Sequence, residues 1–178
     1  ILVAKKQGAK LVALFDQDSV LPDNFTQNIL KEIKNYQGDL PSALFSPVFY
    51  NNVTDDYGWL INFRPFRLIR TKPDLIERAS YPQYVITSGS FIPINVIDDV
   101  GLMREELFIH FIDIEWCIRA RSKGYEIVLF PNIVITHHLG DYSVSIMGNN
   151  YPIHSPLRMY YYFRNAMYLY RSPEIDWN

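Results

Sequence analysis

Two acidic residues one position apart, Asp16 and Asp18, directly follow the apolar run 11–15. Five apolar residues between Lys10 and Asp16 predict a short buried strand. At the carboxyl end of a strand in an open α/β sheet, side chains emerge into the crevice where such sheets bind ligands. Mg²⁺ binds carboxylates together with substrate phosphate oxygens. The spacing therefore predicts that Asp16 and Asp18 bind a metal ion that also contacts a substrate diphosphate. An ordinary Asp/Ser turn is the alternative.

A further carboxylate, Asp113, follows an apolar lead-in and opens a predicted helix over about 113–123. There it could act as a general base if a substrate hydroxyl comes within hydrogen-bond reach. The helix N-terminus would keep this carboxylate ionised at neutral pH. Asp113 and Glu115 are two residues apart, so they can converge on one cleft only if Asp113 occupies the helix cap. The alternative is that Asp113 is simply an N-cap.

Two other stretches place polar or small residues after predicted strands. His137 follows a predicted strand over 133–136, and a histidine beside the acidic turn is a candidate third metal ligand. A structural or solvated histidine is the alternative. Ser88 and Gly89 follow a predicted strand over 84–87. Their small side chains could let a sugar or a backbone segment approach closely; the alternative is a tight turn without a functional role.

A last helix is predicted over 156–170, with proline in its first turn and a run of tyrosines. Arg158 and Arg164 on this helix could hold a phosphate or a glycan. Aromatic and apolar residues at helical spacing are more typical of core packing, which we expect for Tyr161 and Met167.

The amino-acid composition of the chain excludes some classes of function. The chain has 178 residues, 48% of them hydrophobic, which suits one globular domain. A net charge of −2 argues against a nucleic-acid partner, and one cysteine excludes an internal disulfide and suits a reducing compartment. No apolar run approaches the roughly 20 residues that span a bilayer. The chain begins without Met in an apparent mid-helix, so we expect a fragment with its N-terminal part removed.

The remaining pattern predicts helices alternating with strands, and therefore an α/β sheet. Segment 51–66 is rich in Asn, Asp and Gly and predicts a loop, and Gly124 is expected to end the helix that Asp113 opens. Besides those given above, we expect helices over about 25–36 and 93–100 and strands over about 43–50, 67–70 and 125–130.

Five stretches, in this order and spacing, resemble the family 2 glycosyltransferases: LFDQDS, ITSGSFIP, LFIHFIDIEWCIRARSKGYEI, ITHHLGD and HSPLRMYYYFRNAMYLYR. The likeness is strongest to the bacterial rhamnosyltransferases that use dTDP-L-rhamnose. It implies an α/β fold of GT-A type, a Rossmann-like mixed sheet flanked by helices, here lacking the first strands. It also implies one catalytic domain over 1–178, with about 1–80 as the rest of the donor-binding half and about 81–178 as the acceptor and catalytic half.

The resemblance further implies an inverting transfer that depends on Mg²⁺ or Mn²⁺. In it, Asp16 and Asp18 would face the donor diphosphate, Asp18 and His137 the metal, and Asp113 would deprotonate the acceptor hydroxyl. Ile112 departs from the pattern, since many relatives have another acid directly before the base. The residues implied on the acceptor or substrate side are Glu115, Trp116, Ser88, Gly89, Arg164 and Asn165.

The partners implied are a nucleotide-sugar donor and a glycan or lipid-linked acceptor, in the synthesis of cell-surface polysaccharide. We expect a cytoplasmic protein without a nucleic-acid partner. The tyrosine-rich C-terminal helix could add a peripheral contact with the inner face of the cell membrane.

Two other hypotheses remain open. The turn from Phe15 to Val20 also resembles that of haloacid-dehalogenase-like phosphatases, in which Asp16 would be the phosphoryl-accepting nucleophile and Asp18 an acid/base. That interpretation needs a later lysine, for which Lys123 is a poor candidate, and it leaves segment 106–121 unexplained. The third hypothesis is an inactive GT-A domain that only binds.

Overall fold

A computed structural model of the chain describes residues 1–52, 55–64, 67–73, 79–137, 143–146, 149–152 and 155–173. Both helices and strands are present throughout this part of the chain. Their bounds are α1 (Leu2–Lys6), β1 (Leu11–Leu14), β2 (Ser19–Val20), α2 (Phe25–Asn35), β3 (Ser42–Asn51), β4 (Asp56–Tyr57), β5 (Leu60–Arg64), β6 (Arg67–Thr71), β7 (Ser90–Pro93), α3 (Ile94–Val100), a 3₁₀ turn (Glu105–Leu107), α4 (Ile112–Ser122), β8 (Glu126–His137), β9 (Ser143–Ile146), β10 (Asn149–Pro152) and α5 (Pro156–Tyr170).

The main sheet is mixed, with the strand order β1-β7-β3-β8-β2 and β4 added to the end of β3. β7 is antiparallel to both β1 and β3, and β3 is parallel to β8. β1, β3 and β8 therefore run in the same direction, and their carboxyl ends share one edge of the sheet. We call this edge, where Leu14, Asn51 and His137 end their strands, the carboxyl edge.

Helices cover both faces of the sheet because successive strand residues point to opposite sides. Along β8, Val128 and Phe130 pack on one face, and Ile127 and Leu129 pack on the other. The first face is closed by α2, the second by α3 and α4. The helix residues that enter these two cores are Phe25 and Ile29 from α2, Ile94, Val96, Ile97 and Val100 from α3, and Trp116, Cys117 and Ala120 from α4.

The predicted fold class is confirmed: the chain is α/β, with a mixed sheet flanked by helices, an arrangement consistent with a GT-A fold. The helices predicted over 25–36, 93–100, 113–123 and 156–170 are present to within a residue or two. Among the residues that the structure describes, no helix combines the length and the apolar character needed to cross a membrane.

The strand predicted over 84–87 is wrong. Tyr84 forms an isolated bridge with Ile61 outside the named strands, and the strand begins at Ser90. The intervening residues form a turn, closed by hydrogen bonds from the Ser90 N–H to the Thr87 carbonyl (3.0 Å) and from the Ser90 hydroxyl to the Ile86 carbonyl (2.9 Å). These bonds use backbone groups that a strand would pair with its neighbour.

Three smaller expectations are also corrected. The predicted loop over 51–66 contains β4 and β5, and β5 forms a hairpin with β6. The strands predicted over 125–130 and 133–136 are one strand, β8, with an irregularity opposite Pro47, where proline has no N–H to donate to the ladder. Met167 does not lie in the core, since its side chain is largely exposed.

Cys117 provides a test of the packing of α4 against the sheet. Its side chain is 1% exposed, and burial raises the pKa of its thiol to about 12. Because the thiolate is the reactive form, we expect the folded protein to resist iodoacetamide at pH 8 and to react only after unfolding. Mass spectrometry with increasing urea measures this. Labelling in the absence of urea at the rate of the unfolded chain would contradict the packing.

Candidate active site

The acidic segment 15–18 crosses the carboxyl edge of the sheet. It links β1 to β2, which stand at opposite ends of the strand order, so it passes the ends of the strands between them. The buried hydroxyl of Ser88 holds the segment at both sides: it accepts a hydrogen bond from the Asp16 N–H (3.2 Å) and bonds to the Ser19 hydroxyl. The side chains of Asp16 and Asp18 are exposed at this edge.

Gly89 allows the turn that carries Ser88 to pack closely against the sheet. Its φ is +77°, and a Cβ would lie 2.7 Å from Cγ of Pro47 and 2.9 Å from Cδ1 of Ile135. Its N–H donates to the Leu14 carbonyl at 2.8 Å, directly before the acidic segment. Contact of Ser88 and Gly89 with substrate stays a prediction; their geometry favours support of the acidic segment.

The backbone of His137 lies beside the same segment. His137 ends β8, paired on one side with Ser19 and on the other with Asn51. Its side chain lies outside the described part of the structure, and the side chains that are described contain no group of three His, Cys, Asp or Glu placed to hold a metal. The exposed carboxylates of Asp16 and Asp18 have the oxygen chemistry that Mg²⁺ and Mn²⁺ prefer, so they fit such an ion.

Asp113 lies in the first turn of α4 and is coupled electrostatically to the acidic segment. The alternative that Asp113 is the N-cap does not hold: the cap is Phe111, and Asp113 is the second helical residue. Burial raises the pKa of the Asp113 carboxyl, hydrogen bonds from the Ile114 N–H (2.9 Å) and its own N–H oppose this, and the negative charge of Asp16 adds to the rise. The fold thus brings the predicted base close enough to Asp16 for the two charges to interact.

Glu115 points away from this site into the protein. Its side chain is 3% exposed, and its carboxylate accepts hydrogen bonds from Nε of Arg104 (2.8 Å) and from Nε and Nη2 of Arg119 (2.8 and 2.9 Å). Trp116 is also buried and donates from Nε1 to the Gly101 carbonyl at 2.9 Å. Contact of Glu115 and Trp116 with acceptor stays a prediction, while their burial favours a role in holding α4.

Asn165 and Arg164 on α5 contact the loop that leads into α4. The Asn165 side chain is fully buried, and its amide bonds three carbonyls of residues 107–110 and the guanidinium of Arg164. The Arg164 guanidinium also lies over the ring of Tyr161 (4.5 Å) and donates to the Glu106 carbonyl. A substrate contact for these two residues stays a prediction; here they fix a loop.

Tyr84 is a residue near Asp113 that the sequence did not single out. Burial raises the pKa of its phenol to about 12, the negative charge of Asp113 adds to the rise, and Arg70 opposes it. Tyr84 also lines a cavity of about 300 Å³. The sequence predicts Tyr84 as the first residue of a strand over 84–87, with no functional role. The other aromatic and polar residues lining the cavity are Ser46, Phe49, Asn51, Asp56, Tyr57 and Trp59.

Comparison with known proteins supports the resemblance seen in the sequence. No protein-family profile matches the chain. The chain is similar to the dTDP-rhamnosyl transferase RfbF of Shigella flexneri, with 35% identity over 172 residues. The match covers 96% of this chain and 56% of the relative, so the chain spans about half the length of the curated relative that it matches. The predicted resemblance to a rhamnosyltransferase is confirmed.

The buried ion pairs of Glu115 can be tested by removing one partner. We expect Glu115→Ala to lower the free energy of unfolding by about 3 kcal/mol, because it leaves Arg104 and Arg119 without their shared carboxylate. Glu106 is the matched control: it is 63% exposed and lies 3.9 Å from Arg104, so Glu106→Ala should cost less than about 1 kcal/mol. Urea denaturation measures both, and equal losses would refute the difference between the two pairs.

Proposed function

We propose that this chain carries the catalytic site of an inverting glycosyltransferase that moves L-rhamnose from dTDP-L-rhamnose to a hydroxyl of a glycan or lipid-linked acceptor. The observation that carries the proposal is that the negative charge of Asp16, in the exposed acidic segment at the carboxyl edge, contributes to the raised pKa of the Asp113 carboxyl. The name of the similar transferase supports the sugar and the nucleotide.

In the proposed reaction, Asp113 accepts the proton of the acceptor hydroxyl as that oxygen bonds to the anomeric carbon. The bond from that carbon to the diphosphate oxygen breaks, and the diphosphate leaves from the opposite face, so the configuration inverts. Burial supports this role, because a carboxylate with a raised pKa is a better proton acceptor near neutral pH.

Asp16 and Asp18 would face the donor diphosphate in this reaction, and Asp18 and His137 would hold Mg²⁺ or Mn²⁺. Such an ion, when bound, would neutralise charge on the leaving diphosphate. The exposure of the two aspartates at the carboxyl edge supports this assignment, since both carboxylates can be reached from solvent.

The cavity beside Tyr84 is the proposed acceptor side. Tyr84 lines this cavity and interacts electrostatically with Asp113, so an acceptor there would lie on the side of the base. Aromatic rings with a few polar groups are typical of pockets that bind small molecules, and they match a sugar, which has apolar ring faces and polar hydroxyls. Exposed aromatic side chains on α5, including Tyr160, Phe163 and Tyr170, support the further proposal of a peripheral membrane contact for a lipid-linked acceptor in the cytoplasm.

The phosphatase hypothesis is less well supported. A lysine beside Asp16 would be required, but Lys123 lies at the C-terminal end of α4, away from Asp113, where its ammonium pairs with Asp99 (3.1 Å). The hypotheses differ in their products: dTDP for sugar transfer, inorganic phosphate for a phosphatase, and neither for an inactive binding domain.

The experiment that tests the proposal is incubation of the full-length protein with dTDP-L-rhamnose, an acceptor glycan and Mn²⁺, with product analysis. Titration of the same protein with dTDP, UDP and GDP, with and without Mn²⁺, tests the donor. We expect dTDP as product and metal-dependent binding with dTDP preferred. Release of inorganic phosphate, or preference for another nucleotide, would contradict the proposal.

Replacement of the base should separate chemistry from binding. We expect Asp113→Asn to lower kcat by about 100-fold to 10 000-fold, because the amide cannot accept the proton. Donor affinity, measured by titration with dTDP and Mn²⁺, should stay close to that of the wild type. Glu105→Gln, an exposed acid on the same approach to α4, is the control and should leave kcat unchanged. Wild-type turnover by Asp113→Asn would show that another group is the base.

Replacement of Asp18 should affect the donor side. We expect Asp18→Ala to weaken dTDP binding in the presence of Mn²⁺ by about tenfold or more, since contacts to a charged group contribute about 1.5–3 kcal/mol. Binding without metal should change little. Asp23→Ala, an exposed acid five residues further on, should bind as the wild type does. Equal effects of the two substitutions in calorimetric titration would argue against a metal role for Asp18.

A further inference from the structure

The loop that leads into α4 contains an unusual concentration of backbone strain. Phe108, His110 and Phe111 have φ of +60°, +65° and +64°. Residues other than glycine rarely adopt this region, and each such residue costs of the order of 1–3 kcal/mol. Phe108, with ψ of −59°, is the centre of a γ-turn closed by a 2.6 Å hydrogen bond from the Ile109 N–H to the Leu107 carbonyl. Such a backbone persists only if its surroundings hold it.

Hydrogen bonds from the Asn165 side chain stabilise this strained backbone. Its Nδ2 donates to the carbonyls of Leu107 (2.8 Å), Ile109 (2.8 Å) and His110 (2.9 Å). Its Oδ1 accepts from Nε and Nη2 of Arg164 at 2.9 and 2.7 Å, which fixes the direction in which the amide points. One buried amide thus bonds three carbonyls within four consecutive residues of the strained loop.

Asp113 follows this loop directly. Phe111, the last of the strained residues, is the N-cap of α4, and its carbonyl accepts the hydrogen bond from the Glu115 N–H (2.9 Å) that starts the helix. A change in the loop therefore moves the first turn of α4, and Asp113 with it. The ring of Tyr162 on α5 also contacts the rings of His110 (5.7 Å between centroids) and Phe111 (5.0 Å). These contacts are less directional than the hydrogen bonds of Asn165.

We propose that Asn165 is a positioning residue for Asp113: its three hydrogen bonds hold the strained loop 107–111 in the conformation that places the Asp113 carboxylate at the site. Asn165 acts through the loop and not on substrate, because its side chain is fully buried and both ends of its amide are bonded within the protein. This inference rests on the proposed function, in which Asp113 is the base.

The test uses Asn165→Asp in the full-length protein, with Asn165→Ala as a second variant. The aspartate keeps the size of the side chain and an oxygen for Arg164 but has no N–H for the three carbonyls. We expect kcat per folded protein to fall about 100-fold, as a base displaced by about 1 Å would give. Titration with dTDP and Mn²⁺ should give the wild-type Kd, because only the base side of the site moves.

Hydrogen–deuterium exchange of segment 106–112 gives a readout independent of activity, and it should be faster in both variants. Ser155→Ala is the matched control on the same helix. It removes the N-cap bond to the Arg158 N–H (3.3 Å) and destabilises α5 without touching the loop. We expect it to leave both kcat and exchange in 106–112 unchanged.

Three results would overturn the inference. The first is wild-type kcat per folded protein in Asn165→Asp, despite faster exchange in the loop. The second is a loss of dTDP affinity as large as the loss of kcat. The third is failure of both variants to fold, since Asn165 would then serve the fold rather than the base. The wild-type protein is assayed alongside the variants. If it transfers no sugar, the proposed function is wrong; if it transfers sugar and one of the three results is found, only the inference about Asn165 is wrong.

Discussion

The hydrogen bonds of the Ser88 hydroxyl are the constraint on which the site depends. The acidic segment has four residues in which to pass from β1 to β2, two strands at opposite ends of the sheet order. The segment makes one turn of its own, closed by a hydrogen bond from the Ser19 N–H to the Asp16 carbonyl (3.2 Å), and Ser88 fixes it at Asp16 and at Ser19. Ser88 is buried, and its turn packs closely against the sheet because Gly89 has no side chain. The backbone that carries the exposed carboxylates is therefore held in place.

Most of the fold follows from patterns that are local in the sequence. The continuous apolar run 127–130 of β8 and the helical spacing in α2 predict these elements from the local sequence alone. The errors arise where hydrogen bonds that the composition does not reveal decide the structure. Segment 84–87 has the composition of a strand, yet its backbone and the Ser90 hydroxyl close a turn instead. Segment 51–66 looks polar, yet β5 is held by pairing with β6.

The candidate site was predictable only in part, for a similar reason. The acidic segment and Asp113 are visible because their residue types suggest chemistry, and a resemblance assigns their roles. The hold of Asn165 on the 106–111 loop is not visible, because it joins residues 55 to 58 positions apart. Nor does a sequence show that Phe108 would adopt a left-handed conformation, since phenylalanine has no preference for it.

The two acids at the start of α4 show how environment, rather than residue type, separates chemical from structural roles. Glu115 is the more deeply buried, but two guanidinium groups compensate its charge, so it is held as a fixed ion-pair partner. Among the residues that the structure describes, backbone N–H groups stabilise the charge of Asp113, while burial and Asp16 both disfavour it. The pKa of the Asp113 carboxyl is therefore raised, as suits a group that accepts a proton. Because Asp113 and Glu115 are two residues apart on a helix, their carboxylates point to different sides. The same helix is therefore anchored by Glu115 and presents Asp113 as a base.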